Sequence, residues 1–201
     1  MATRTFTRLY DSHDDAVQVV NDLEAAGIPA SDISLVASNR DNRYPGTDVD
    51  STPGGTGAGA GATVGTVLGG GAGLLAGIGS LAIPGVGPIV AAGWLIATIT
   101  GAGVGAAVGG AAGGLIGGLT SAGVSEDEAH VYAEGVRRGG SLITVRADDP
   151  QAARVESILG QRSYVDTAAR RQEYEEGGWS RFDETAEPYA PTLSVDPLDR
   201  P

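Results

Sequence analysis

Between Ser51 and Ser125 the chain carries no Asp, Glu, Lys or Arg, and this stretch limits the folds open to it more than any other. Glycines recur there at every fourth position, as Gly57, Gly61, Gly65, Gly69, Gly73 and Gly77. After a break at Ile83-Pro84-Gly85-Val86-Gly87-Pro88 the period returns as Gly93, Ala97, Gly101, Gly105, Gly109, Gly113 and Gly117. Glycine weakens a helix by roughly 1 kcal/mol relative to Ala. A four-residue period is nevertheless helical, and it leaves a stripe free of side chains along which backbones approach closely. The pattern predicts two glycine-zipper helices over 57–119 with a tight turn at 83–88, and it marks these twelve glycines as the helix-packing residues.

A helix that spans a bilayer needs about 20 apolar residues, and both arms, 57–82 and 88–119, are long enough. Large apolar residues are sparse in the first arm (Val64, Val67, Leu68, Leu74, Leu75, Ile78, Leu81). They are denser at the start of the second (Ile89, Val90, Trp94, Leu95, Ile96, Ile99). Neither arm has the polar face of a soluble surface helix, so the expectation is a transmembrane hairpin that self-associates; a buried or amphipathic helical hairpin in a soluble oligomer, or a flexible Gly-Ala tract, is the alternative. Each four-residue step turns a helix by about 400°, so the stripe drifts by about 40° per step, and partners must cross with a right-handed tilt. Arg40 and Arg43 before the hairpin and Arg137 and Arg138 after it place both flanking halves on the cytoplasmic side of a bacterial inner membrane. A cytoplasmic location is the alternative.

The flanks read as one interrupted domain. Thr5 to Tyr10 is strand-like. Ser12 and Asp15 open a helix whose apolar face is Ala16, Val17, Val20 and Leu23, and Gly27 ends it. Ile33, Leu35 and Ala37 alternate as a second strand, which makes residues 1–38 a βαβ unit with parallel strands. Residues 39–56 are a polar linker. In 124–166, Ser125 and Glu128 form a capping box ahead of Ala129, Tyr132, Ala133 and Val136. Gly139-Gly140 stops that helix, and Leu142-Ile143-Thr144-Val145 is a strand. Asp149 and Pro150 then start a helix facing inward through Ala152, Val155, Ile158 and Leu159. Tyr164-Val165-Asp166 is a candidate last strand. From 172 to 201 the chain is acidic and reads as a mostly disordered tail with one docked turn at Gly177-Gly178-Trp179. Neither half has enough apolar faces to fold alone. Paired, they form a small α+β, ferredoxin-like sandwich of four strands and three helices, and an even number of membrane crossings would return the chain to the side it left.

Thirteen basic against twenty-five acidic side chains give a net charge of −12, with no lysine. Such a chain is a poor nucleic-acid binder, because phosphate contacts need Lys and Arg. Without cysteine it makes no disulfide or thiolate site, and Met1 to Thr5 lead straight into strand-like sequence without a secretory signal. Glycine density invites a dinucleotide loop, but only variants such as Gly57-x-Gly59-x-x-Ala62 occur, with no acid about 20 residues on. Asp11-Ser12-His13-Asp14-Asp15 has metal-ligand types, yet carboxylates in a first helical turn are what the helix dipole favours anyway. His130 falls on the exposed side of its helix, and no spacing suggests a triad or acid–base pair. Trp179 and Phe182 suit either a partner or the parent domain. No catalytic, cofactor-binding or metal residue is assigned, and the expectation is a non-enzyme without a cofactor.

Thr7-Arg8-Leu9-Tyr10-Asp11, Ile28-Pro29, Asp32-Ile33-Ser34-Leu35-Val36, Leu81-Ala82-Ile83-Pro84-Gly85-Val86-Gly87-Pro88 and Ala129-His130-Val131-Tyr132-Ala133-Glu134-Gly135-Val136-Arg137-Arg138-Gly139-Gly140 together resemble a family of bacterial general stress proteins, the heat-induced or low-temperature-induced stress proteins. The resemblance covers about residues 3–166, and Gly178-Trp179-x-x-Phe182-Asp183 extends it. It implies a stress-associated, membrane-bound protein and carries no site residues. The reading is a non-enzymatic membrane protein that forms a homo-oligomer in the lipid bilayer, with a cytoplasmic α+β domain. Its alternative is a ligand-sensing or protein-binding module with an unknown small-molecule ligand, for which the hairpin is only an anchor or an oligomerisation arm. A pore is disfavoured, since the arms offer no polar lumen.

Overall fold

The computed structural model describes residues 3–39, 74, 79–83, 86–96, 98, 114–186 and 189. Its centre is β5 (Ser141–Asp148), a run apolar or β-branched on both faces and buried on both, as expected of a strand covered from two sides. β1 (Thr3–Tyr10) pairs with one edge of β5, from Thr3 opposite Asp148 to Tyr10 opposite Ser141. β2 (Ile33–Ser38) pairs with the other edge, with Leu35 opposite Ile143. Both pairings are antiparallel, so β1 and β2 run parallel to one another with β5 between them. The βαβ unit expected from the sequence is therefore split by a strand that arrives a hundred residues later in the chain.

The sheet then continues where helices were expected. β3 (Gly79–Ile83) and β4 (Gly87–Gly93) form an antiparallel hairpin, and β4 pairs with β2 from Ser34 opposite Gly93 to Ser38 opposite Ile89. The strand order is β1-β5-β2-β4-β3. The sequence reading is corrected here: 83–88 is indeed a turn, closed by Val86 N–H on the Ile83 carbonyl at 3.1 Å, but it joins strands. Ile89, Val90, Trp94, Leu95 and Leu74, counted above towards membrane arms, pack in this domain; Leu95 is wholly buried, and the Leu74 amide donates to Glu24. The physical reason is that a short apolar run bounded by turn residues has no periodicity to separate helix from buried strand. Glycine's helix penalty and the β-branched Ile83, Val86, Ile89 and Val90 then favour the sheet. No helix among the described residues is long and apolar enough to cross a membrane.

Helices cover both faces. On one side lie α1 (His13–Ala25) and α4 (Asp149–Leu159), over Phe6, Tyr10, Ile33, Leu35, Ile143 and Val145. On the other lie α2 (Leu115–Ser121) and α3 (Glu126–Arg137), over Leu9, Val36, Ile89, Ala91 and Leu142. The expected two-layer sandwich is thus a three-layer one, because β5 and β4 carry apolar side chains on both faces. Local signals mostly hold: the Ser12 hydroxyl accepts from the Asp15 amide at 3.2 Å, and the Ser125 hydroxyl accepts from the Glu128 amide at 3.3 Å and donates to the Glu128 carboxylate at 2.6 Å. In α1 the buried residue is Val19 and not Val17, and the cap of α4 is Asp148, one residue before the expected Asp149.

Residues 164–166 form no strand. The Val165 amide alone bonds the Leu9 carbonyl, at 2.7 Å, on the open edge of β1. Asp166 then caps a further helix, α5 (Thr167–Glu176), by accepting from the amides of Ala168 and Ala169. The start of the tail expected to be disordered is therefore helical. After it, Gly178 takes a left-handed conformation (φ 84°) and the Trp179 amide closes on the Tyr174 carbonyl at 2.9 Å, which is the docked turn expected there.

Candidate functional site

The stretch from Ala129 to Gly140 puts several functions on one short helix. Where α3 passes over β1 its backbone rests on the Leu9 side chain: a Cβ on Gly135 would lie 3.2 Å from Leu9 Cδ1 and 3.3 Å from Cγ, with Cδ2 closer still. Gly140 is hemmed in likewise, 2.9 Å from the Gly135 carbonyl oxygen. These glycines are small because β1 is close.

Beside them Glu134 is buried to 1% exposure and accepts from both neighbouring arginines. Arg137 Nε reaches Oε2 at 2.8 Å, and Arg138 Nε reaches Oε1 at 2.7 Å. The Arg138 guanidinium lies 4.2 Å over the ring of Tyr174 from α5 and 4.9 Å over Tyr189. Hydrogen bonding to Glu134 raises the Arg137 pKa above its usual value. A buried carboxylate with bonded guanidiniums on both oxygens, under an aromatic cover, is a clamp and leaves no free group for proton transfer. Arg170 of α5 bonds both oxygens of Asp11 at 2.9 and 2.6 Å, which raises its pKa and ties α5 to the β1–α1 loop.

At the opposite end of α3 a cleft of about 480 Å³ opens between Ser125, Glu126, Asp127 and His130 on one wall and Arg171, Trp179, Ser180 and Arg181 on the other. Arg181 Nε donates to His130 Nε2 at 2.7 Å, and its Nη2 pairs with Glu126. Arg171 Nη2 donates to the Asp127 carbonyl at 2.6 Å. Burial, then the Arg181 charge, lower the His130 pKa, with Glu126 pulling the other way. Because a guanidinium only donates, His130 Nε2 must be the acceptor and its proton sits on Nδ1. His130 is thus not exposed, as its helical position suggested, but covered by the tail at 12% side-chain exposure. Each cation here is matched by an anion, Arg181 by Glu126 and Arg171 by Asp127.

The residues singled out from sequence separate in the structure. Asp11 goes to Arg170, Ser12 caps α1, and buried His13 faces the Ser141 hydroxyl at 3.0 Å through Nδ1. No cluster of three metal-binding side chains occurs among the described residues. Trp179 stands edge-on to Tyr174 with centroids 5.6 Å apart, and Phe182 enters the core under α3, so both dock on the parent domain. Of the twelve helix-packing glycines, Gly57, Gly61, Gly65, Gly69, Gly73, Gly77, Gly101, Gly105, Gly109 and Gly113 lie outside the described residues. Gly93 is a correction: it ends β4 with φ 95°, against the Ile33 carbonyl and 2.8 Å (for an added Cβ) from Ser34 Cα, so it serves a strand and not a zipper helix. Gly117 is in α2, where its neighbour Gly118 is the buried one. Sequence reasoning missed the clamp on Glu134; a lone Glu among apolar positions, followed by Arg at i+3 and i+4, was the available signal.

Comparison with known protein families, with curated proteins and with solved structures finds no match to this chain.

Proposed function

We propose that this is a non-enzymatic, stress-associated protein that self-associates at the bacterial inner membrane through its glycine-rich segments, with the α+β domain as a rigid cytoplasmic frame. The resemblance to general stress proteins supports the stress role. One observation carries the rest: β4, from the middle of the uncharged tract, is hydrogen-bonded to β2 and carries β3 on its other edge. The two glycine-rich segments, before β3 and after β4, therefore both start and finish on one folded body. A single crossing by residues 57–78 would put β3 on the far side of the bilayer from β2. In this proposal the glycine-rich segments meet the bilayer and one another, since glycine backbone at that depth is tolerated only where other protein covers it. Membrane contact and self-association then require one another. The frame is an enlarged ferredoxin-like sandwich in which the Val165–Leu9 bond stands where the last strand would run.

The test is an alkaline carbonate wash of membranes holding the full chain, with crosslinking of the wild type and of a variant with Gly65, Gly69, Gly105 and Gly109 changed to Leu. Retention in the pellet with crosslinked oligomers lost in the variant is the expected result. Unchanged oligomers overturn the association reading, and release by carbonate overturns the membrane part. The mixed-charge cleft supports a second reading, a ligand-sensing module, which a ligand-induced rise in Tm of the full chain would favour.

A further inference from the structure

The segment after β5 and α4 is held differently from the rest of the domain. α5 buries a single side chain, Tyr174. Its other ties are polar: Arg170 to Asp11 and Arg171 to Asp127. Beyond it, among the described residues, only Phe182 enters the core, while Glu184 rests against Gly114 at the start of α2, its Oε1 3.2 Å from where a Cβ would stand. A segment with few apolar anchors and many exposed polar bonds opens at lower free energy than the core it covers.

We propose that residues 167–186 are a strap latched on α3 by the Arg181–His130 hydrogen bond, and that proton uptake by His130 releases it. The latch follows from donor chemistry. Arg181 is charged at every physiological pH and has no acceptor, so the bond exists only while His130 Nε2 keeps its lone pair. A proton there places two cationic N–H groups face to face at 2.7 Å. The groups around the imidazole are Glu126 and Asp127 on α3, Arg181 on the strap and Arg171 on α5. Glu126 is 3.7 Å from Nε2 and favours the protonated ring, but it is 62% exposed and already paired to Arg181, so it is screened and shared. Among the described residues the Nδ1 proton has no partner and is buried. The latched form thus leaves one donor unsatisfied, which the open form returns to water.

The sign is fixed by linkage. The His130 pKa is lowered from 6.5 in the latched form. The latch is therefore at full strength above that value and is lost as pH falls below it. Release uncovers the cleft that Trp179 lines and the apolar seat of Phe182, which it shares with Leu115 and Leu119 of α2. This inference stands whether or not those segments associate.

The experiment uses the full chain with Trp94→Phe, which leaves Trp179 as the only tryptophan. Acrylamide quenching of its emission, followed from pH 8 to pH 5, is expected to rise several-fold in a one-proton step with its midpoint below 6.5. His130→Gln, which can accept from Arg181 but cannot take up the proton, is expected to stay latched throughout. Arg181→Ala is expected to be quenched at every pH. In the unsubstituted chain, exchange of the Trp179 and Ala186 amides, corrected for its intrinsic pH dependence, should accelerate over the same range. The same acid step in His130→Gln, or no step in either measurement, overturns the latch.

Discussion

Gly135→Ala tests a close approach of helix to side chain, and its sign depends on a residue in another element. In an ordinary helix the exchange gains about 1 kcal/mol of propensity. Here the new Cβ meets Leu9, a side chain with 0% exposure and no room to retreat, at 3.2 and 3.3 Å to two carbons and less to the third. Overpacking costs roughly 1–3 kcal/mol, and contacts this short on an enclosed leucine belong at the upper end of that range. The expected net loss is about 1–2 kcal/mol, or about 2–8 °C in Tm for a chain of this size. Leu9→Ala alone should cost about 2–5 kcal/mol by leaving a cavity. In that background the alanine at position 135 moves into the vacated space and recovers its propensity, so Gly135→Ala should stabilise by about 1 kcal/mol. Urea unfolding of the four chains gives the cycle. If Gly135→Ala has the same sign with and without Leu9, α3 does not cross β1 as described and the reasoning fails.

Removing the acceptor at the centre of the clamp, Glu134→Ala, should destabilise by about 3–5 kcal/mol, because two part-buried guanidiniums lose their partner; a loss under about 1 kcal/mol by denaturant titration would place Glu134 in solvent. Gly93→Ala combines a left-handed residue, at about 1–2 kcal/mol, with contact against the rigid backbone of β2, at about 1–3 kcal/mol. It should lower Tm by several degrees, whereas a neutral result would restore the helical reading of that segment.

Short-range signals proved the most legible. Ser12 with Asp15, Ser125 with Glu128, and the spacing of Ala152, Val155, Ile158 and Leu159 gave caps and an inward face that the structure contains. Each is settled within one or two helical turns, by backbone donors that need a partner and by a side-chain period of 3.6 residues. Gly178 and Trp179 were legible for the same reason. The aromatic cover of the clamp and the cleft were not: Tyr174 is far along the chain from Glu134 and Arg138, as Arg181 is from His130, and only the docking of α5 and the residues after it brings them together.

By itself, then, the sequence determined an acidic chain with an uncharged, glycine-spaced centre, two flanking α+β halves, and the ends of most of its helices. Tertiary structure decided whether the apolar runs on either side of the 83–88 turn become helix or strand, that β5 inserts between the two parallel strands β1 and β2, and whether the tail docks. Those choices lie beyond local pattern because apolar burial is non-directional and is satisfied equally by a helix in a bilayer or a strand in a sheet. What tips the balance is the unpaired edge of β2, whose N–H and C=O groups β4 satisfies, and that edge exists only once residues a hundred positions apart have come together.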